Sequence, residues 1–260
     1  MPVSLSGVES TDMSANNDLL VAFELHDPDG IRKALAAGAS PSAPLNGKRP
    51  IDWLISMYTR SHNFAACMRT MLAAGATVGD ELVEATLLDD DETLRRIVQQ
   101  DPSRAQERLV VESAYTSLRH VSALHVCAEF NSVRCAKVLL NAGVDVNVRA
   151  EIDRDGLGGH TALFHTVNSN HNFCRPMMEL LLDAGADVDV RLQGLMWGEG
   201  LEWETVVFDV TPISYAQCGL YRQFHRDEKD VYDNIDHLYR RRFGTTAPRR
   251  NVPNRYVLAS

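Results

Sequence analysis

The second half of the sequence contains acidic, histidine and tyrosine side chains that could perform acid–base chemistry. The strongest candidate set is Asp155, His160, Asp209 and Tyr215, which flank two insertions described below. A general acid or base must lie within hydrogen-bond reach of the reacting group, and the spacing of these residues matches no catalytic pattern. We therefore expect no catalytic residues, and we keep an enzyme site at the bases of the insertions as an alternative.

Two further patterns bear on metal binding. Residues 153–156, Asp-Arg-Asp-Gly, look like a fragment of a calcium loop, but residues 157–165 contain no Asp or Glu to complete it. The histidines lack the H-x-x-x-H spacing of a zinc site, and the five cysteines form no C-x-x-C pair. We expect no metal, no cofactor and no disulfides. The cysteines are Cys67, Cys127, Cys135, Cys174 and Cys218.

The composition is that of an ordinary soluble protein, since 45% of the 260 residues are hydrophobic and 23% are charged. The net charge of −9 disfavours nucleic acid and anionic membranes as partners. Residues 1–13 lack the features of a secretory signal, so we expect a flexible N-terminus and a cytoplasmic protein. Arginines gather in a C-terminal tail, residues 245–260, and just before it; the tail is either a solvated extension or a site for an anionic partner.

Two short phrases recur along the chain and mark the ends of helices. The first is ALAAGASPS at 34–42, MLAAGATVG at 71–79, LLNAGVDVN at 139–147 and LLDAGADVD at 181–189. Its glycine stands where a helix ends in a left-handed residue. The second is RPIDWL at 49–54, SALHVCA at 122–128, TALFHTV at 161–167 and TPISYAQ at 211–217, which predicts helix starts.

Together the phrases resemble the ankyrin repeat, and residues 122–147 carry the closest match. The resemblance implies an all-α solenoid of about six helix-turn-helix units with β-hairpin finger insertions. The units fall at about 17–45, 46–79, 80–118, 119–148, 158–190 and 208–244, within a domain at 14–244. The resemblance also implies that His125 is structural. It implies that the core positions of the best-matching unit are Leu124, Ala128, Cys135, Val138 and Leu139.

Two insertions interrupt the repeats, at 148–160 and 190–210, in the loop that forms fingers in the ankyrin family. The longer one contains the strand-like runs VRLQGLMW and LEWETVVF around a Gly-Glu-Gly turn, which predicts a β-hairpin. A two-stranded ribbon does not bury so many apolar residues within itself. They form either a partner-binding patch with tryptophan anchors or a layer folded over the neighbouring helices.

The family resemblance implies a non-catalytic scaffold that binds a protein or peptide through its concave face and its two fingers. The candidate partner-binding residues are Leu195, Trp197, Glu199 and Trp203 in the longer insertion and Asp153, Arg154 and Asp155 in the shorter one. A small-molecule ligand is disfavoured. The main alternative is a structural or self-associating module with the hairpin as a dimer contact, and the oligomeric state stays open.

Overall fold

The computed structural model describes residues 6–222, 224 and 226–248 of the chain. Eleven α-helices lie in this part of it: α1 Ser6–Leu25, α2 Pro28–Ala36, α3 Pro50–Ile55, α4 Phe64–Ala73, α5 Glu81–Leu87, α6 Asp91–Gln100, α7 Ala123–Phe130, α8 Val133–Asn141, α9 Arg175–Asp183, α10 Pro212–Gln217 and α11 Glu228–Phe243. Helix α1 begins inside the segment 1–13, for which we expect flexibility. Residues 1–5 of that segment and residues 249–260 of the basic tail lie outside the described residues.

Aspartate side chains begin several helices, and glycines follow the ends of several others or of the same ones. The Asp80 carboxylate accepts hydrogen bonds from the backbone N–H groups of Leu82 and Val83, at 2.8 and 3.1 Å, at the start of α5. Such bonds satisfy backbone donors that have no partner within the helix. The four glycines of the recurring phrase have φ angles between 85° and 109°, in the left-handed range that the phrase predicts: Gly38, Gly75, Gly143 and Gly185.

The helices stack in pairs. Helices that follow each other in the chain pack together, as α1 does with α2, α5 with α6 and α7 with α8. Helices in equivalent positions of successive pairs also pack together, as α5 does with α7, α6 with α8 and α8 with α9. This stacking forms a helical solenoid with one long hydrophobic core, in which all five predicted core residues of the 122–147 stretch are buried.

The range 158–190 departs from the regular pairing. The sequence predicts a helix after Thr161, and the chain forms two short 3₁₀ helices instead, Ala162–His165 and Asn170–Asn172, before α9. His171 and Asn172 have φ angles of 49° and 53°, and left-handed residues interrupt a right-handed helix.

Strands occur at two places, so the fold is a helical repeat solenoid with small strand pairs, and the all-α expectation holds only for the repeats themselves. About half of the chain is helical. Strand β1 (Leu109–Val111) pairs antiparallel with β2 (Leu118–Val121), and β3 (Leu192–Trp197) pairs antiparallel with β4 (Thr205–Val210). The β1–β2 pair is absent from the sequence predictions, because strands of three and four residues are too short for a two-residue alternation to be recognised. No helix of the described part of the chain is long and apolar enough to span a bilayer.

The β3–β4 hairpin lies against the helices. Leu192, Leu195 and Trp197 of β3 and Val210 of β4 belong to a second hydrophobic cluster, together with residues from the 162–165 turn, α9, α10 and α11. A bridge between Thr116 and Trp197 also brings the hairpin beside β2. The hairpin therefore packs on the helices, with Leu195 and Trp197 near its turn and with the Leu192–Val210 pair at its base, which corrects the expectation of a finger that projects from the solenoid.

Candidate partner-binding site

Two of the predicted anchors lie in the interior. Leu195 is 1% exposed and Trp197 is 3% exposed. The Trp197 ring stacks on the Phe224 ring with centroids 4.1 Å apart and an interplanar angle of 16°. Side chains with this little exposure do not project into solvent, so their interpretation as solvent-facing anchors is wrong. Leu195 and Trp197 instead fit the alternative, in which the hairpin folds over the neighbouring helices.

Trp203 lies half-buried at the edge of the same aromatic cluster. Its ring centroid is 4.6 Å from that of Trp197 and 6.3 Å from that of Tyr115. It also covers Gly198, where a Cβ atom would come within 2.2 Å of the indole ring and where φ is +72°. Only glycine fits under the indole in this conformation. Trp203 thus closes the turn of the hairpin on its own backbone.

Tyr115 joins the hairpin to loops from both halves of the chain. Its carbonyl accepts a hydrogen bond from the Gly198 N–H at 2.9 Å, and its hydroxyl donates to the Tyr58 carbonyl. The guanidinium groups of Arg60 and Arg226 lie 5.6 and 5.0 Å from the centre of its ring. Cations are attracted to the electron-rich face of an aromatic ring. The segments between the helices therefore pack on one another.

A buried ionic network lies beneath this aromatic cluster. Arg60 contacts Glu129 at 2.9 Å, and their side chains are 2% and 4% exposed. The second carboxylate oxygen of Glu129 accepts a hydrogen bond from Nδ1 of His165 at 3.0 Å. Burial acts to raise the pKa of Glu129, but the Arg60 guanidinium and the His165 hydrogen bond outweigh it and hold the pKa below its usual value. The network ties the loop before α4 to α7 and to the 162–165 turn.

Three buried histidines lie next to this network, with ring centroids 5.1 to 5.7 Å apart: His125, His160 and His165. His125 donates from Nε2 to the His160 carbonyl at 3.1 Å, and His160 donates from Nε2 to the Ser117 carbonyl at 3.1 Å. These bonds fasten the 148–160 insertion to α7 and to the residue before β2. Among the described residues, no group of three or more His, Cys, Asp or Glu side chains is arranged to hold a metal ion.

The alternative acid–base set has separate partners. Asp209 forms an ion pair with Arg191, Tyr215 shares a hydrogen bond of 2.9 Å with Thr116, and His160 binds Ser117. Asp155 lies at the exposed tip of the shorter insertion beside Arg154. Within residues 6–222, 224 and 226–248, no hydrogen bond or ion pair joins two members of the set. The geometry therefore gives this alternative no support.

An open cleft of about 260 Å³ lies between the two insertions. Strand β2 forms one wall, the 148–160 insertion forms the second, and β3 with its turn forms the third. Backbone hydrogen bonds from Glu151 to His120, at 3.3 Å, and from Gly158 to Gly194, at 3.0 Å, tie these walls together. The lining residues are Ser117, Arg119, His120, Glu151, Asp153, Leu157, Gly158, His160, Leu195, Met196 and Glu199.

The predicted residues Asp153 and Glu199 lie on the rim of this cleft. The Glu199 carboxylate accepts a hydrogen bond from the Ser117 hydroxyl at 3.2 Å and lies 3.6 Å from Arg119. One oxygen of Asp153 accepts hydrogen bonds from the backbone N–H groups of Asp155 and Leu157, both at 2.9 Å. The Asp153 carboxylate therefore shapes the insertion as well as facing the cleft.

The outer face of the hairpin continues the apolar lining of the cleft. Side chains alternate between the two faces of a strand, so Met196 points away from the core when Leu195 and Trp197 point into it. Met196 pairs with Val206 on β4, and Gly194 pairs with Phe208, which is 70% exposed. Leu157 of the shorter insertion packs over Gly194, where a Cβ atom would come within 2.5 Å of it. We call Leu157, Met196, Val206 and Phe208 the outer apolar face.

A family model for ankyrin repeats matches residues 51–192 in three copies, which is more than half of the chain. The chain belongs to the ankyrin-repeat family. Ankyrin repeats generally mediate protein–protein interactions, and the family is generally non-catalytic. The assignment of the helix pairs outside 51–192 to further ankyrin units, and the count of six, stay predictions.

The chain is also similar to zinc finger CCCH domain-containing protein 24 of Oryza sativa subsp. japonica. The two sequences are 34% identical over 110 residues, which cover 42% of this chain. The match spans 14% of the length of that protein, so the similarity concerns one stretch of a longer chain.

Sequence reasoning missed Arg60, Glu129 and the outer apolar face. Glu129 carried a usable signal, because it is an acidic residue within the apolar run SALHVCAEF, and a buried carboxylate needs a partner. Arg60 carried no such signal, since it stands in an irregular loop 69 residues from Glu129. Met196 and Phe208 stand in the predicted strand runs, but alternation alone does not say which face a hairpin buries.

Proposed function

We propose that the chain binds a segment of a protein partner in the cleft between its two insertions, and that the outer apolar face extends this binding surface. The main observation behind this proposal is the contrast between two sets of hairpin residues. Leu195 and Trp197 are buried by the chain itself, whereas Met196 and Phe208 lie next to an open cleft. Protein-binding surfaces combine an apolar centre with a polar rim, and the cleft combines them in this way.

The size of the surface favours a polypeptide over a small molecule. The cleft volume of about 260 Å³ lies below the roughly 300–1,000 Å³ of pockets that enclose drug-sized ligands. A small ligand within the cleft would leave Phe208 in water, because Phe208 stands outside the lining and is 70% exposed. A folded or extended protein segment covers both the cleft and Phe208. The net charge of −9 disfavours nucleic acid as a partner, and this exclusion stays a prediction.

Within the two insertions, this proposal places the binding surface away from the aromatic cluster, and binding through the concave face of the stack stays a prediction. Tyr115, Trp197 and Phe224 come from three different segments between helices and pack together against the stack. Side chains that hold each other in this way are less available to a partner. Asp153 and Glu199 stay in the proposed site, Arg154 and Asp155 lie beside it at the exposed tip, and Leu195 supports its floor.

The test uses fragments of the proteins of the source organism, displayed on phage and selected on the immobilised chain. Met196→Arg places a charge in the apolar lining, and we expect it to weaken binding of the selected fragments roughly tenfold or more. The matched control is Val110→Arg, because Val110 is an exposed apolar residue on the β1–β2 hairpin. Circular dichroism verifies that both variants fold.

Equal binding by the parent chain and a folded Met196→Arg variant would overturn the cleft as the binding site. Loss of binding with Val110→Arg alone would move the site to the β1–β2 hairpin.

Self-association is the second candidate, and the exposure of Phe208 favours it. A dimer through the outer apolar face would be an isologous contact between two hairpins. In that case light scattering would give twice the mass of the chain, and Phe208→Ser would return the monomer.

We also propose a reducing compartment, such as the cytoplasm. All five cysteines are free and buried, and free thiols are typical of reducing compartments.

A further inference from the structure

We propose that the cleft recognises a lysine or arginine side chain that stands next to an aliphatic residue in the partner segment. This inference rests on the proposed function, and it adds the chemistry of the group that the cleft selects.

The charged groups of the lining are mostly acidic. Three carboxylates, from Glu151, Asp153 and Glu199, face the cleft together with the single guanidinium of Arg119. Arg119 lies near Glu199, at 3.6 Å. Glu151 lies 3.4 Å from His120, which carries a charge only when it is protonated. Asp153 has no cationic partner among the described residues. The rim therefore complements a positive charge.

His160 gives a second and independent indication at the floor of the cleft. It is 2% exposed, and its Nδ1 has no hydrogen-bond partner within the described part of the chain. Because its Nε2 donates to the Ser117 carbonyl, Nδ1 carries the lone pair of the neutral ring and is an acceptor. A buried acceptor without a partner is unfavourable. A ligand that donates an N–H group would supply the missing bond.

The apolar lining fits the rest of such a side chain. Leu157, Leu195 and Met196 form the apolar part of the lining. Lysine and arginine place their methylene groups along apolar surface and keep the charged end in a polar region. The stem would lie along Leu157 and Met196 and the charged end would reach Glu151 and Asp153. A neighbouring aliphatic residue would pack on the outer apolar face.

The test uses a random 12-residue peptide library displayed on phage as the probe. We expect selection on the full chain to enrich peptides with Lys or Arg next to Leu, Ile, Val or Met. The tightest lysine-containing peptide is then synthesised with lysine or with norleucine, which keeps most of the stem and removes the charge. Fluorescence anisotropy should show roughly fivefold weaker binding of the norleucine peptide, since a partly exposed ion pair contributes a factor of this order.

Protein variants locate the charge recognition. Glu151→Gln combined with Asp153→Asn keeps an acceptor oxygen for the turn of the insertion and removes both negative charges. We expect this double variant to bind the lysine and norleucine peptides equally. The matched control is Glu202→Gln, an exposed residue in the turn of the β3–β4 hairpin outside the cleft lining, which should keep the parental preference.

The outcomes separate this inference from the proposed function. If peptides bind and Met196→Arg leaves their affinity unchanged, or if no peptide is enriched, both the site and its selectivity are overturned. If Met196→Arg weakens binding but the lysine and norleucine peptides bind equally, only the recognition of a cation is overturned. Enrichment of acidic peptides would overturn it as well.

Discussion

Trp197 stacks on Phe224 with ring centroids 4.1 Å apart, and this contact joins the β3–β4 hairpin to the segment that leads into α11. The stacking determines which face of the hairpin is covered near its turn. Because strand side chains alternate, burial of Trp197 leaves Met196 on the opposite face, beside the open cleft. A structural contact in the core thereby determines which residues are left for a partner.

Truncation of Trp197 should destabilise the fold. Trp197→Ala removes a buried aromatic side chain, and we expect the free energy of unfolding to fall by about 3–5 kcal/mol. Urea denaturation followed by circular dichroism measures this change. Leu201→Ala is the control, because Leu201 is 40% exposed, and it should change the free energy by no more than about 0.5 kcal/mol. Equal costs for the two variants would mean that the hairpin does not pack on the helices.

Breaking the Arg60–Glu129 pair should destabilise the fold strongly. Replacing both residues with apolar ones should destabilise it less. Glu129→Leu leaves the buried Arg60 guanidinium without a counter-charge, and we expect a cost of about 3–5 kcal/mol in unfolding free energy. Arg60→Met combined with Glu129→Leu removes both charges and should be more stable than Glu129→Leu alone. Urea unfolding of the parent, the single variants and the double variant completes the cycle. A double variant as unstable as the sum of the two single variants would argue against direct coupling.

Stability should fall as the pH falls below about 6.5, the pKa of an unfolded histidine. Burial, with the charge of Arg60, lowers the pKa of His26 to about 4, and burial, with the charge of His165, lowers the pKa of His125 to about 3. Below about 6.5 the unfolded chain therefore binds more protons than the folded chain, and protons favour unfolding. The free energy of unfolding should keep falling until the pH reaches the lowered pKa values, about 4 for His26 and about 3 for His125.

The measurement is the urea midpoint from about pH 7 down to about pH 4.5, above the range in which carboxylates dominate. His26→Gln should reduce the dependence on pH, whereas His171→Gln, at an exposed position, should keep it. A midpoint that stays constant between these pH values would contradict the burial of neutral histidines.

The thiols should be unreactive in the folded protein. All five cysteines are buried, and burial raises the pKa of Cys67 and of Cys218 to about 11. Burial also raises the pKa values of Cys127 and Cys135. Since the thiolate is the reactive form, a thiol reagent such as DTNB should label the native protein slowly and the protein in urea at once. Rapid labelling of the native protein would show that these residues are accessible.

The sequence predicts those features of the fold that depend on short stretches of chain. Gly143 follows an apolar helix and has a φ angle of 85°, and Leu139 stands four residues before it and is fully buried. Both follow from the periodicity of one repeat. The family match over residues 51–192 confirms the ankyrin resemblance.

Features that depend on contacts between distant segments were beyond prediction. Arg60 and Glu129 are 69 residues apart, and no local pattern relates them. The hairpin runs were recognisable, but the buried face depends on packing against Phe224, which stands outside them. The same limit applies to the cleft, which needs β2, and β2 is too short to be recognised.

Photocrosslinking from the cleft tests partner binding most directly. Benzoylphenylalanine replaces Met196 in one variant and Gln99, an exposed residue of α6, in another. Each variant is irradiated with a protein fragment selected on the parent chain, and adducts are identified by mass spectrometry. Binding in the cleft predicts an adduct at position 196 and none at position 99. An adduct at position 99 with none at position 196 would contradict it.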